Sequence, residues 1–295
     1  MNQNTNYIVS EQDNSILLKS FNSITDFRKR EFSEHHHSAI EISFVEYGSG
    51  VYRVSDVAYN FEPGDIFLFS NNEIHYITEV YDACSFITLQ FEPRFLWGFN
   101  SAHTDTEQLL GMFFNRNSNF TNRIDRTNPA TKIIGGLICK IYNEMCNKEL
   151  QYENMSKSAL IHLLVLIARN YDYIDRTSTN TSIASESLKT LDSAMNYINT
   201  HLDSDLNLEE IARNCHLNKS YFSTLFKKLN GMSPWEYITL KRIELSIHLL
   251  KNTKLSTLEI SQKCGFNTPS NFYRAFKKLT AQNPNYYRKS DTSGQ

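Results

Sequence analysis

The sequence predicts an α+β protein of two domains, a small N-terminal β-barrel with a helix pair and a C-terminal all-α domain of two helix-turn-helix units. Three observations support this prediction. The chain has 295 residues, which suits about two domains of ordinary size. Short alternating apolar segments with turn residues between them give way to long segments of helical periodicity. The last third of the chain also contains an internal repeat.

The barrel is predicted from four short apolar segments that are separated by turn residues. The segments are Ile40–Tyr47, Val51–Val54, Asp65–Phe69 and Ser85–Phe91. Gly48, Gly50 and the Pro63-Gly64 pair lie between them and favour tight turns. Several short strands with close turns are typical of a small all-β barrel.

Two amphipathic helices are predicted to follow the barrel, over Thr131–Leu150 and Ser156–Tyr173. Each carries an apolar stripe at helical spacing, so together they form an antiparallel pair. The stripes can cap the barrel or bind a second copy of the chain, and the two roles are compatible.

A polar segment marks the boundary between the domains. Residues 175–187 are mostly Ser, Thr, Asn and Asp and are predicted to be a linker. The sensor domain is therefore residues 1–174, and the helical domain is residues 188–295. Residues 1–184 contain 15 Lys and Arg against 22 Asp and Glu, whereas residues 185–295 contain 15 against 10. The positive C-terminal part is the candidate for contact with nucleic acid.

Neither membrane insertion nor export is expected. The longest apolar segment, Ala159 to Ala168, contains His162 and is too short to span a bilayer. The five cysteines are far apart and form no Cys-x-x-Cys pair, which indicates buried thiols in a reducing compartment. The predicted location is the cytoplasm.

The repeat is the strongest signal in the sequence. One set of residues recurs at an offset of 49: Ile211, Cys215, Leu217 and Asn218 match Ile260, Cys264, Phe266 and Asn267. A second set recurs at an offset of 50: Phe222, Phe226, Lys227, Lys228, Leu229 and Pro234 match Phe272, Phe276, Lys277, Lys278, Leu279 and Pro284. Each copy reads as a short helix, a turn and a second helix, which is the order of a helix-turn-helix.

Capping patterns support the helix starts. Asn207 with Glu210 and Ser256 with Glu259 have the spacing of a capping box, and Thr268 precedes a proline in the way of an N-cap. Between the copies, Pro234–Lys251 is predicted to be one helix of about 18 residues, or about 27 Å. Such a helix can separate two recognition helices by about one turn of DNA, roughly 34 Å.

The segment Leu206–Lys289 resembles the DNA-binding domain of the AraC/XylS family of transcription regulators. The matching residues are Gly231, Ser233, Pro234, Tyr237, Arg242, Leu249, Leu250, Gly265, Phe266, Phe272, Arg274, Phe276, Lys277, Lys278, Pro284, Tyr287 and Arg288. His216 stands in the first turn, where the family commonly has glycine.

The resemblance implies which residues contact DNA. Base contacts are expected from the outward polar face of each second helix: Ser220, Ser223, Thr224, Ser270, Asn271 and Arg274. Arginine pairs with guanine and asparagine with adenine, so Arg274 and Asn271 are expected to contribute most of the specificity. Phosphate contacts are expected from basic side chains: Lys219, Lys227, Lys228, Lys277, Lys278 and Arg288.

The predicted barrel contains a pattern that resembles the cupin motifs. His35, His37 and Glu41 have the spacing of the first motif, and Pro63-Gly64-Asp65 followed by His75 resembles the second. The predicted ligand-binding residues are His35, His37, Glu41, Tyr52 and His75. As an alternative, His35, His37, Glu41 and His75 have the residue types of a divalent-metal site. We assign no metal and no cofactor, because spacing alone does not establish coordination geometry.

The sequence therefore predicts a non-enzymatic, sequence-specific transcription activator with a cupin-like sensor domain. Its expected partners are double-stranded promoter DNA, RNA polymerase, a second copy of the chain, and a small-molecule effector that the resemblance suggests is a carbohydrate. One alternative is a metal-dependent cupin enzyme, which bound metal and turnover would reveal. Another is a ligand-independent repressor or architectural protein, whose DNA binding would not respond to metabolites.

Overall fold

The computed structural model describes residues 5–10, 16–25, 37–71, 73–99, 106–114, 116–173, 185–280 and 282–289. Its contacts divide the chain into two units. The first unit comprises Met1–Ser33 and Ala39–Leu188, and the second comprises Glu34–Ser38 and Lys189–Gln295. Residues 175–184 of the predicted linker lie outside the described residues, and a helix begins at Ser185.

Among the described residues of the first unit, eight strands form two antiparallel sheets. The strands are β1 (Thr5–Val9), β2 (Ile16–Thr25), β3 (Ile40–Tyr47), β4 (Gly50–Val54), β5 (Val57–Phe61), β6 (Ile66–Phe69), β7 (His75–Val80) and β8 (Cys84–Phe91). One sheet has the order β1-β2-β8-β3-β6, and the other has the order β5-β4-β7. The four predicted strands are present as β3, β4, β6 and β8.

Side-chain alternation in the larger sheet separates two cores. On β3 and β6, Ile40, Ile42, Ile66 and Leu68 belong to the core that includes the helices. The residues between them point to the other sheet, where Phe67 joins an aromatic core. The period of two in these strands therefore creates one face for the helices and one face for the smaller sheet.

Helices cover the outer face of the larger sheet. They are a 3-10 helix (Pro93–Phe99), α1 (Thr106–Phe114), α2 (Pro129–Asn147) and α3 (Tyr152–Asn170). The predicted helix pair is present, although α2 begins two residues earlier than expected because Asn128 caps it and Pro129 occupies its first turn. The α2–α3 pair therefore caps the sheet in this structure.

Two adjacent glycines of α2 make the packing testable. A Cβ on Gly135 would lie 2.9 Å from Cε2 of Phe44, whereas a Cβ on Gly136 would meet nothing within 4 Å. Gly136→Ala is expected to stabilise the protein by roughly 0.5–1 kcal/mol through helix propensity. Gly135→Ala is expected to cost about 1 kcal/mol, because overpacking exceeds that gain. Urea unfolding of the two variants provides the measurement, and equal stabilities would contradict this packing.

The second unit is all-helical. Its helices are α4 (Ser185–Thr200), α5 (Leu208–Asn214), α6 (Lys219–Asn230), α7 (Pro234–Asn252), α8 (Thr257–Lys263), α9 (Pro269–Thr280) and α10 (Pro284–Lys289). The pairs α5–α6 and α8–α9 are the two predicted helix-turn-helix units, and α7 is the predicted connecting helix. The fold class predicted from the sequence is confirmed.

The caps differ in one respect from the sequence pattern. Ser256 and Glu259 form the predicted capping box at α8. Asn207 caps α5 by accepting a hydrogen bond from the Glu209 backbone N–H, and its cap does not include Glu210. A further capping box joins Ser233 and Glu236 at the start of α7.

The five cysteines are free, in agreement with the expected thiols. Cys84, Cys215 and Cys264 are buried, whereas Cys139 is half-buried and Cys146 is exposed. The expectation that all five are buried was therefore wrong for these two residues of α2. No helix in the part of the chain that the structure describes is long and apolar enough to cross a membrane.

Candidate nucleic-acid interface and effector unit

The two helix-turn-helix turns have the same backbone conformation. His216 has a φ of 54° and Gly265 has a φ of 73°, both in the left-handed region. The first turn therefore keeps its geometry although histidine replaces the common glycine. Asn218 then caps α6, and the Thr268 hydroxyl accepts a hydrogen bond from the Asn271 backbone N–H at the start of α9.

Arg242 of α7 holds the second unit together. Its Nε donates to the Leu202 carbonyl at 2.8 Å, and its Nη2 donates to the Ser204 carbonyl at 2.7 Å. The same guanidinium lies 5.9 Å from the Phe266 ring centroid, beside the turn between α8 and α9. This one buried side chain therefore contacts the segment before the first helix-turn-helix and the turn of the second.

The exposed face of α9 contains the side chains with the most capacity for reading bases. Ser270, Asn271 and Arg274 are all exposed. The Arg274 Nη2 donates to the Asn271 Oδ1 at 3.3 Å, so the guanidinium and the amide lie side by side. Lys277 and Lys278 are exposed in the last turn of α9. The opposite face is buried through Phe272 and Phe276.

The equivalent face of α6 is shorter and carries hydroxyl groups. Ser220 and Thr224 are exposed, and Ser223 is half-buried. The Thr224 hydroxyl donates to the Ser220 carbonyl at 3.0 Å, so part of its hydrogen-bonding capacity is used within the helix. This face can donate and accept hydrogen bonds but has no guanidinium comparable to Arg274.

The predicted phosphate contacts do not share one environment. Lys227 is exposed and Lys228 is half-buried. The Lys219 Nζ lies 3.9 Å from the Glu209 Oε1. Arg288 is half-buried, and its Nη2 donates to the Leu255 carbonyl. A role of Arg288 in phosphate binding therefore rests on its remaining donors.

The candidate interface includes two aromatic residues that the sequence prediction omitted. Tyr221 of α6 and Tyr273 of α9 are 50% and 49% exposed, next to the predicted base-contacting side chains. Tyrosine is a donor, an acceptor and an apolar surface at once. Helical spacing puts both tyrosines outside the buried stripe and places Tyr273 on the outward face of its helix, but the predicted base contacts were limited to hydroxyl, amide and guanidinium side chains.

Glu41, Tyr52 and His75 of the predicted ligand set lie in the interior of the first unit. Their exposed fractions are 3%, 5% and 1%. The Tyr52 ring lies 5.0 Å from the Phe67 ring and 5.3 Å from the Phe69 ring, centroid to centroid. The His75 ring stacks on Phe69 at 4.0 Å. Aromatic side chains therefore fill the space around Tyr52 and His75.

Hydrogen bonds determine the protonation of His75. Its Nδ1 lies 2.8 Å from the Glu73 carbonyl, which can only accept, so Nδ1 carries a proton. Its Nε2 lies 3.6 Å from the Glu41 Oε1. Burial lowers the pKa of His75, but the nearby charge of Glu41 and the hydrogen bond to the Glu73 carbonyl outweigh it, and the pKa is raised above its ordinary value. The cation is therefore favoured beside the carboxylate.

The pair predicts a pH-dependent stability. A raised histidine pKa in the folded state contributes stability that is complete below the unfolded pKa and is lost as the pH rises through the folded pKa. Glu41→Gln removes the largest cause that raises this pKa. The stability advantage of the unaltered protein over Glu41→Gln should therefore be larger at pH 6 than at pH 9 in urea unfolding. The same advantage at both pH values would contradict a charged pair.

The two remaining members of the predicted ligand set are His35 and His37. His35 is outside the described residues. His37 is half-buried and belongs to the short segment that groups with the second unit. The proposed participation of these two histidines in a ligand site stays a prediction.

The fold and the recognition helices define a class of protein, a two-domain DNA-binding regulator with a cupin-like sensor unit. Comparison with known proteins supports this class. Residues 21–128 match the AraC-like ligand binding domain, and residues 211–290 match a helix-turn-helix domain family. Together these matches cover more than half of the chain. The chain belongs to the AraC/XylS family of transcription regulators.

The similar proteins differ in how much of their length the chain spans. The chain is 35% identical over 102 residues to YtdP, an HTH-type transcriptional regulator of Bacillus subtilis. This match covers 35% of this chain and only 13% of YtdP. The chain is 25% identical over 253 residues to the Msm operon regulatory protein of Streptococcus mutans, over 84% of this chain and 83% of that protein.

A solved structure has the same fold. ToxT from Vibrio cholerae superposes with a TM-score of 0.56 at 14% identity, over 92% of this chain and 98% of ToxT. At this identity the comparison supports the two-domain fold and no further property of the chain.

Proposed function

We propose that this protein is a transcription activator that binds promoter DNA through α6 and α9 and responds to a small molecule, such as a sugar, bound by its first unit. The observation that carries the proposal is the pair of equivalent polar helix faces, one per helix-turn-helix. The connecting helix α7 has 19 residues, or about 28 Å at 1.5 Å per residue. This length is comparable with one turn of DNA, roughly 34 Å.

The mechanism that we propose is a population shift. An effector that binds better to one arrangement of the chain increases the share of that arrangement, and it shifts promoter binding only by its differential affinity. Base contacts come from Asn271 and Arg274 of α9, with Ser220, Ser223, Thr224 and Ser270 in support. The exposed lysines provide the salt-dependent part of the affinity.

We include a homodimer in the proposal. The α2–α3 pair leaves apolar side chains accessible: Ile133 is 55% exposed and Met155 is 42% exposed, while Ile161 and Val165 are half-buried. An isologous contact between two such pairs would bury this surface. Sedimentation of the full-length protein tests it, because Ile161→Glu should shift a dimer towards a monomer.

Transcription measured in a purified system tests the function. The full-length protein, RNA polymerase and a promoter that the protein binds are combined with and without neutral sugars. Higher transcript yield with protein and sugar together supports a sugar-responsive activator. A fall in transcript yield on adding the protein would indicate a repressor, and a yield that no sugar changes would indicate a ligand-independent regulator.

A further inference from the structure

A groove lies at one side of the first unit, next to the aromatic interior. It has a volume of about 700 Å³ and is lined by residues 59–62 on one wall and by the segment between Thr121 and Thr127 on the other. Pockets of roughly 300–1,000 Å³ are typical of small-molecule sites.

The two walls are the edges of the two sheets. Residues 59–61 belong to β5, the edge strand of the three-stranded sheet. The opposite wall pairs with β6, because the Leu68 N–H donates to the Asn122 carbonyl at 2.8 Å and the Ile124 N–H donates to the Ile66 carbonyl at 3.0 Å. The groove therefore forms where the two sheets separate, and backbone hydrogen bonds hold its outer wall.

The charges along the groove compensate each other. Arg126 pairs with Glu62, and its Nη2 lies 2.7 Å from the Oδ2 of Asp65. The Arg123 Nη1 donates to the Asn60 carbonyl, and Arg123 also interacts with Asp65 and Asp125. Two arginines thus face three carboxylates, so a phosphate or a carboxylate ligand would meet no excess of positive charge.

The carboxylate of Asp65, which pairs with Arg126, can accept a further hydrogen bond. Asp65 is 1% exposed, and its Oδ1 has no hydrogen-bond partner among the described residues. Burial raises the pKa of Asp65 to about 6 despite the opposing effect of Arg123. Burial thus disfavours the charged form of Asp65, and the neighbouring arginine only partly offsets this effect.

The lining combines donors, acceptors and one aromatic ring. The guanidinium groups donate, Glu62 and Asp125 accept, and the exposed Asn60 amide does both. Tyr59 is half-buried, with its ring at 5.9 Å from Phe67 in an edge arrangement. A hydroxyl group also donates and accepts, and the apolar face of a sugar ring packs on an aromatic side chain.

We propose that this groove binds the effector, and that the effector is a neutral polyhydroxylated molecule of mono- or disaccharide size. The inference rests on the proposed function and gives its effector a place and a chemical class. The site differs from the interior set around Tyr52, where aromatic rings already occupy the space.

Calorimetric titration of the full-length protein tests the proposal. The probes are neutral mono- and disaccharides and the sugar phosphates and sugar acids of the same skeletons. At least one neutral sugar is expected to bind, with its charged counterparts weaker by about tenfold or more. The absence of binding by every neutral sugar, or tighter binding of the charged forms, would overturn the assigned ligand class.

Variants locate the bound sugar. Asn60→Ala removes an exposed amide and keeps the backbone carbonyl that the arginine uses, so affinity should fall roughly three- to tenfold while folding is retained. Tyr59→Ala should weaken binding about tenfold through the lost ring contact. Asn143→Ala on the exposed surface of α2 and Tyr52→Phe in the interior serve as controls and should bind as the unaltered protein does.

The opposite pattern would place the sugar in the interior. A loss of affinity in Tyr52→Phe, with normal affinity in Asn60→Ala and Tyr59→Ala, would overturn the groove. The purified transcription assay separates this failure from failure of the proposed function. A sugar response that persists in Asn60→Ala overturns only the groove, whereas an absence of activation in the unaltered protein overturns the activator.

Discussion

Gly265→Ala is expected to cause the largest loss of stability and DNA binding of any small substitution in the second unit. A Cβ at this position would lie 2.2 Å from the Leu202 carbonyl oxygen and 2.7 Å from the Arg242 Nη2. The residue also has a φ of 73°, which costs an alanine roughly 1–2 kcal/mol. Relief of the clash requires Arg242 to leave one or both of its carbonyl acceptors, and unsatisfied buried groups cost about 1–3 kcal/mol each.

The combined cost is roughly 3–5 kcal/mol, a large part of the 5–15 kcal/mol that is typical of folded proteins. Urea unfolding followed by circular dichroism measures it. Gly64→Ala is the matched control, because Gly64 also has a positive φ, 93°, but its Cβ would meet nothing within 4 Å. Equal destabilisation by the two variants would show that backbone conformation alone matters and that the Arg242 contacts contribute little.

Arg274→Ala is expected to weaken binding to the specific DNA site by about 1–3 kcal/mol, or roughly 5- to 150-fold in Kd, and to relax preference at one base position. The side chain is exposed on α9 and lies beside Asn271, so its removal should leave the fold intact. Binding to random DNA should change little. The measurement is Kd for specific and random duplexes at the same salt concentration.

Lys278→Ala is the control for a phosphate contact. It should weaken specific and random DNA alike and reduce the slope of log K against log salt by about 1. Equal losses on both duplexes for Arg274→Ala would contradict its base-reading role and assign it to the phosphate contacts.

The helical unit could be predicted almost completely from the sequence. Its elements repeat, and the residues that set them are local: Ser256 with Glu259 at α8, Thr268 at α9, and buried phenylalanines at a spacing of four. Helix caps and helical periodicity can be recognised from neighbouring residues alone, without knowledge of distant contacts. What the sequence did not indicate is that the backbone at His216 has the left-handed conformation of Gly265. That conformation is a property of the turn rather than of the residue type.

The first unit was predicted less fully. The strands β1, β2, β5 and β7 were not recognised. β1, β5 and β7 are short edge strands, whose periodicity signal is weak. β2 has ten residues and lies between β1 and β8, but its apolar residues do not alternate strictly, and its pairing is with distant segments. The groove was missed for the same reason. Its walls, at Tyr59 and Arg123, are 64 positions apart, and the segment from Thr121 to Thr127 has no regular pattern. Cupin-like spacing directed attention to Glu41 and His75, which the structure does bring together.

Footprinting shows whether the protein is a sequence-specific DNA-binding regulator. The purified full-length protein is bound, at fixed salt and against random competitor, to the DNA upstream of its own and neighbouring genes. We expect specific protection over two adjacent major-groove turns for each protomer, one for α6 and one for α9. Absence of specific protection, with or without sugars, would contradict a sequence-specific regulator and would direct attention to Glu41 and His75 as part of a different activity.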